Sequence, residues 1–166
     1  KVPSAKMTDH ELLRWIAANA GRTRIVLSTG MGDDAEMATA VGILHEQNPV
    51  VMHCVSAYPC PVDELNLSMI TRMKERWPEL TIGYSGHETG LSTTIAAVAL
   101  GAEYVERHLT LDRSLPGTDH AASVEPDGFK RMVHDIRNVE RAIGDGRKRI
   151  MPAEEAVILK LRGVVV

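Results

Sequence analysis

The sequence predicts a parallel α/β fold, in the form of part of a (β/α)8 TIM barrel. Three observations carry this. Four short β-branched runs alternate with segments of helical periodicity, the pattern of consecutive βαβ units. No GxGxxG follows any run, which argues against an open dinucleotide-binding sheet. Polar residues, Ser28, Ser56, Ser85 and His108, fall at the C-terminal ends of the runs, where a barrel builds its active site. The alternation by itself also allows an open doubly wound sheet.

The elements follow in order. Thr8-Asp9-His10-Glu11 reads as a capping box, with the Thr8 hydroxyl as the cap. It opens a helix through Leu12, Leu13, Trp15, Ile16 and Ala20 that Gly21 closes. Residues 25–27 form a short buried strand ending in Ser28-Thr29-Gly30-Met31, and a helix runs over about 34–45. Pro49 precedes a strand over 50–55, and a Pro-rich turn over 58–61 leads to a helix over about 66–77 that Pro78 stops. A third strand spans 82–85. An Ala-rich helix spans 92–100 and ends at Gly101, and a fourth strand spans 103–109. A long polar loop reaches Glu125. Pro126 then sits in the first turn of the longest helix, through Ile143, with Gly144 as its cap.

Four strands make half a barrel, which leaves two sheet edges and an open core that would not persist in a monomer. The opening Lys1-Val2-Pro3-Ser4 has no initiator Met, and the closing Val164-Val165-Val166 reads as the start of a strand, so the chain is expected to be a segment of a longer protein. Apolar residues are 44%, charged residues 25% and the formal net charge −3, ordinary values that favour neither a nucleic-acid nor an anionic-membrane partner. No run is long enough to span a bilayer. Cys54 and Cys60 flank a Tyr-Pro turn with no second metal-spaced pair, so a reducing, cytoplasmic compartment is expected.

Chemistry is expected at three places. His87 and His108 follow or end adjacent strands, and two imidazoles on one rim begin a divalent-metal site that carboxylate or water completes. Spacing alone divides evenly between that reading and two silent, hydrogen-bonded rim histidines. Ser4, Ser28, Thr29, Ser56 and Ser85 form a row of short hydroxyls that, with Lys1, suits phosphate or carboxylate, although Ser and Gly are also ordinary strand-end turn residues. The loop over 115–123 places Asp119 after the last strand, either to meet a sugar hydroxyl or the water on a metal, or as a solvated turn residue. Other residues read as structural. His45 and His134 lie on solvated helix faces, His53 is a core histidine, and Met37, Met69, Met73 and Met132 pack. The basic stretch Arg137, Arg141, Arg147, Lys148 and Arg149 reads as a solvated face, with an interdomain or subunit contact as the other reading.

Six segments stand out together: Ser28-Thr29-Gly30-Met31, His53-Cys54-Val55-Ser56-Ala57-Tyr58-Pro59, Ser85-Gly86-His87-Glu88-Thr89-Gly90, Val98-Ala99-Leu100-Gly101-Ala102, Glu106-Arg107-His108-Leu109-Thr110-Leu111-Asp112 and the run from Gly117 to Pro126. Together these segments resemble the N-acetylneuraminate (sialic acid) synthase family. They are collinear over nearly the whole chain. Gly86-His87-Glu88 looks more like the animal-type enzymes, since many bacterial members have Asp where Gly86 stands.

The resemblance implies a (β/α)8 barrel of which this chain covers the end of strand 4 through helix 8. Residues 1–150 would be the C-terminal half of the barrel and 151–166 a linker towards an antifreeze-like C-terminal domain. It implies a metal-dependent transferase that condenses phosphoenolpyruvate with N-acetylmannosamine or its 6-phosphate. His87 and His108 would bind Mn2+, with Mg2+ or Co2+ as alternatives. Lys1, Ser4, Ser28 and Ser85 would contact phosphoenolpyruvate, and Tyr58, Glu106 and Asp119 would lie near the sugar. Ser56 stands where some bacterial members have Asn, and Lys6 where many have an acidic sugar-binding residue. The family's general base, a Glu near strand 1, belongs to the N-terminal half. An Arg from the antifreeze-like domain reaches a partner's site, which implies a homodimer. The alternatives are a sister legionaminic or pseudaminic acid synthase, and a non-catalytic half-barrel that binds metal or phosphate.

Overall fold

A computed structural model describes residues 1–162. The expected strand start at Val164-Val165-Val166 lies outside the described residues. Four parallel strands, β1 (Val26–Ser28), β2 (Val50–His53), β3 (Thr81–Gly86) and β4 (Tyr104–Arg107), form one sheet in the order β1-β2-β3-β4. The order never reverses, as in a barrel wall and unlike a doubly wound sheet at its switch point. Val2 adds one further parallel rung outside β1. Its N–H donates to the Val26 carbonyl at 2.8 Å, and its carbonyl accepts from Ser28 N–H at 3.0 Å. The chain is therefore the expected part of the barrel, the end of one strand followed by four strand–helix units.

The helices are α1 (His10–Asn19), α2 (Asp34–Leu44), α3 (Ser68–Arg76), α4 (Ser92–Ala99), α5 (Pro126–Ile143) and α6 (Glu155–Arg162). Several boundaries differ from the sequence reading for identifiable reasons. The cap of α1 is Asp9, not Thr8: the Asp9 carboxylate accepts from Leu12 N–H at 3.2 Å. The capping box is instead at α2, where Asp33 accepts from Ala35 and Glu36 N–H while Glu36 reaches back to Asp33 N–H. Helix α3 starts at Ser68, because Asn66 has a left-handed backbone (φ 46°) that no helix accommodates. Strand β2 stops at His53, two residues short of expectation. After Met151 the chain forms a 3-10 turn (Pro152–Glu154) and then α6, where the sequence suggested only a linker.

The strand period of two assigns each residue to a layer. Leu27, Val51 and Ile82 lie side by side in register, are fully buried, and join Leu13, Val41, Leu44 and Ile70 from the helices in one core. Burying each such side chain stabilises the fold by about 1.5–3 kcal/mol. The opposite face carries the row Ser28, Met52, Gly83 and Tyr104. A Cβ on Gly83 would stand 2.3 Å from the Met52 sulfur and 2.9 Å from the Tyr104 Cβ, so this row closes only over a glycine. His53 lies in the helix-facing row. It is buried, bonded through Nε2 to the Leu65 carbonyl at 2.8 Å, and held below the usual histidine range by burial, which fits the core reading.

Candidate active site

The strand ends on the side of Ser28 and Ser85 open into a cleft of about 250 Å³. Lys1, Ser4, Ser28, Ser56, Tyr58, Ser85, His87 and His108 all line it, although they come from five separate stretches of chain. Glu106 and Asp119 stand behind it. One Glu106 oxygen accepts from Ser85 Oγ at 2.9 Å and from the Lys1 ammonium, and an Asp119 oxygen lies 3.8 Å from His108 Nδ1, too far for a hydrogen bond. Burial pushes the Glu106 carboxyl up, but the Lys1 and Ser85 bonds outweigh it and leave the group below its usual range. Lys6 is drawn away to Asp9 at 3.1 Å.

Tight local packing sets the hydroxyl row. Gly30 N–H donates to Ser4 Oγ at 3.0 Å and to Cys54 Sγ at 3.2 Å. A Cβ at Gly30 would lie 2.3 Å from Ser56 Oγ and 2.9 Å from Ser4 Oγ, so only glycine lets the β1 turn approach the serines. Thr29 is not free for a ligand, because its hydroxyl donates to the Met52 carbonyl at 2.9 Å. Ser28 is the opposite case. It is 3% exposed, yet among the described residues its hydroxyl has no hydrogen-bond partner. A buried, unmade hydrogen bond costs about 1–3 kcal/mol, and a donor left in that state at a cleft wall is matched by an incoming acceptor.

The two imidazoles lie together. Their centroids are 5.4 Å apart with the rings at 70°. His87 is 5% exposed and its Nδ1 lies 2.7 Å from the Val55 carbonyl. A carbonyl only accepts, so Nδ1 carries the proton and Nε2 keeps its lone pair. Burial lowers the pKa of His87, which favours that neutral form. Tyr58 covers the pair, tilted over His87 at 4.2 Å and edge-on to His108 at 5.7 Å. Burial raises the Tyr58 phenol and keeps it neutral. A ring nitrogen about 2.1 Å from a shared ion places centroids roughly 4.5–6 Å apart, so the spacing fits one. Among the described residues no group of three or more His, Cys, Asp or Glu converges. A metal held by the two imidazoles would need carboxylate or water to complete its shell.

The sequence reading missed the polar cluster directly beneath this rim. Glu88 and Arg107, the residues next to His87 and His108, form an ion pair at 3.1 Å with side chains 0% and 1% exposed. Strand parity was the signal. If Glu106 and His108 face the cleft, Arg107 must face the helices, where a charge needs a partner.

A model of the NeuB family matches residues 1–148. The chain is 42% identical to human N-acetylneuraminate-9-phosphate synthase, over 90% of this chain and 42% of that protein. It is 38% identical to the N,N'-diacetyllegionaminic acid synthase of Campylobacter jejuni, over 93% of this chain and 47% of that protein. The chain thus spans less than half the length of these curated relatives. Among solved structures, the N-acetylneuraminic acid synthetase of Leptospira borgpetersenii superposes with a TM-score of 0.83 at 32% identity, over 97% of this chain and 56% of that one. A truncated 3-deoxy-D-arabino-heptulosonate 7-phosphate synthase from Thermotoga maritima superposes at 0.69 with 16% identity, a likeness of fold alone.

Proposed function

The chain belongs to the NeuB family, and on that premise we propose that it is the C-terminal half of a synthase barrel that condenses phosphoenolpyruvate with an N-acetylated amino-sugar aldehyde. The observation that carries this is the unpartnered Ser28 hydroxyl, buried at the wall of a cleft that also gathers Lys1, Ser4, Ser85, His87 and His108. Such a donor beside a lysine ammonium suits the anionic oxygens of phosphoenolpyruvate. In the free cleft Lys1 and Ser85 rest on Glu106, and an arriving phosphate or carboxylate competes for them.

The reaction joins C3 of phosphoenolpyruvate to the aldehyde carbon, whose oxygen takes a proton and becomes a hydroxyl. Water adds at C2, and phosphate leaves by C–O cleavage. A divalent ion held by His87 and His108, Mn2+ in preference to Mg2+ or Co2+, would supply polarisation of the aldehyde oxygen. The chain's own contribution is placement. The hydroxyl row fixes one substrate, Asp119, Glu106 and Tyr58 border the other, and the Tyr58 ring lies over the buried His87. The strand-1 base would come from the other half of the barrel. Residues 151–166 would lead towards an antifreeze-like domain, in a cytoplasmic homodimer.

Similar identities to sialic and legionaminic acid synthases support a sister synthase as the second reading. The test is phosphate release by the full-length protein that carries this sequence. It would be given phosphoenolpyruvate with N-acetylmannosamine, its 6-phosphate, or the aldose precursors of legionaminic and pseudaminic acids. Turnover with one aldose identifies the substrate, and no release with any of them refutes the proposal.

A further inference from the structure

The buried cluster beneath the rim ties together the three segments that bear His87, His108 and Asp119. One Glu88 oxygen accepts from Thr93 Oγ1 at 2.9 Å, Thr94 Oγ1 at 2.8 Å and Arg107 Nη1 at 3.1 Å, and the other accepts from Tyr84 OH at 2.9 Å. The Arg107 guanidinium also donates to backbone. Its Nη2 reaches the Glu88 carbonyl at 2.6 Å and the Ala122 carbonyl at 3.2 Å, and its Nη1 reaches the Gly90 carbonyl at 2.9 Å. One planar fork thus holds the chain just after His87, the chain just before His108, and the loop three residues beyond Asp119.

Stability alone does not account for such a cluster. A buried ion pair gains little over well-packed apolar side chains of equal volume, because desolvation offsets the attraction. The cluster also constrains its surroundings. A Cβ at Gly86 would stand 2.6 Å from a Glu88 oxygen and 3.0 Å from Arg107 Cδ, so the strand end leaves out a side chain to admit it. What it does supply is fixed geometry. Supporting groups hold ligand side chains in place, and their loss commonly weakens metal binding by roughly 10- to 100-fold.

We propose that Arg107 and Glu88 are positioning residues that set the separation of the two imidazoles and dock the loop carrying Asp119. This rests on the synthase reading for its purpose, though not for its geometry. Arg107→Lys keeps the charge and loses the fork. Thr94→Val removes one isosteric link, the hydroxyl that donates to Glu88 and accepts from Arg107 at 2.8 Å, and serves if the lysine variant does not fold.

Two readouts on the full-length protein that carries this sequence distinguish positioning from general support. In hydrogen exchange, the amides of Thr110 and Val124, which bond Val124 and His108 across the loop, should exchange about tenfold faster or more, while those of β1 and β2 keep their rates. In Mn2+ titration by water-proton relaxation, affinity should fall by about tenfold or more in Arg107→Lys, and less in Thr94→Val. Uniform acceleration across the sheet, unchanged loop exchange, or a loosened loop with unchanged Mn2+ affinity each overturns the proposal. A wild-type protein that binds no Mn2+ sinks the metal reading instead, and the exchange pattern then decides the clamp.

Discussion

Replacing Ser28 by alanine should make the protein more stable and a worse binder of phosphoenolpyruvate. Ser28 is 3% exposed with no partner for its hydroxyl among the described residues, so the free protein bears the cost of an unmade hydrogen bond. That cost is about 1–3 kcal/mol, and the small void left by the oxygen returns part of it. A net gain of about 1 kcal/mol raises Tm by roughly 1–2 °C in a full-length protein of about twice this length. With the anion bound, the hydroxyl makes a charge-assisted bond of about 1.5–3 kcal/mol, whose loss weakens binding roughly 10- to 150-fold. The assay pairs thermal unfolding with the KM for phosphoenolpyruvate in the full-length protein. A Tm that falls by several degrees would mean that the hydroxyl is satisfied in the free protein. An unchanged KM would mean that no ligand oxygen reaches it. Either result refutes the reasoning.

Asp119→Ala should raise the sugar KM by roughly tenfold or more, the worth of a charged hydrogen bond, and leave that of phosphoenolpyruvate unchanged; equal effects on both would return Asp119 to a solvated turn. Alanine at either His87 or His108 should abolish Mn2+ binding in isothermal titration, with a larger drop in Tm for the buried His87 than for His108, and retained affinity in either variant would remove that histidine from the site. Burial lowers the pKa of His87, so its NMR titration should fall below the free value of about 6.5, and a midpoint above that value contradicts its 5% exposure. The folded pKa of Glu106 is depressed. The stability it contributes is complete above its unfolded value of about 4.3 and is lost as pH falls through the lower folded one. Glu106→Gln should therefore flatten the acid limb of the stability profile, and an unaltered limb would show the Lys1 pairing to be without weight.

Much of this architecture could be read from residue order. The β-branched runs at Val26, Val50, Ile82 and Val105 sit inside the four observed strands, and Pro78, Gly101 and Gly144 punctuate the helices where expected. The cleft-lining serines and histidines were visible because strand ends collect on one rim of a barrel. What escaped depends on tertiary context. Whether Thr8 or Asp9 caps α1 is settled by one hydrogen bond, between two residues that both cap well. Met31 takes a left-handed backbone (φ 61°) beside the cleft, a conformation that nothing in its side chain announces. The tautomer of His87 depends on a carbonyl 32 residues away in sequence. The pairing of Glu88 with Arg107 has no signal in either residue alone and shows only through the alternation of the neighbouring cleft residues. The helix α6 follows a segment whose composition suggested only a connection, and its exposed Val157, Leu159 and Leu161 give no apolar stripe of the usual helical width.

The unreversed strand order has a kinetic consequence. Each strand pairs with the strand just before it in sequence, so every new strand–helix unit finds its neighbour already made, and no pairing has to wait for a segment still to come. Such a sheet can be laid down in one direction as the chain emerges, with each loop closed at modest entropic cost. The cleft follows a different schedule. Ser28 and Ser56 are in place early, but Arg107 cannot grip the Ala122 carbonyl, nor His108 meet Asp119, until the loop after β4 has folded back. The last contacts of the cleft therefore form late, after the hydrophobic layer is built.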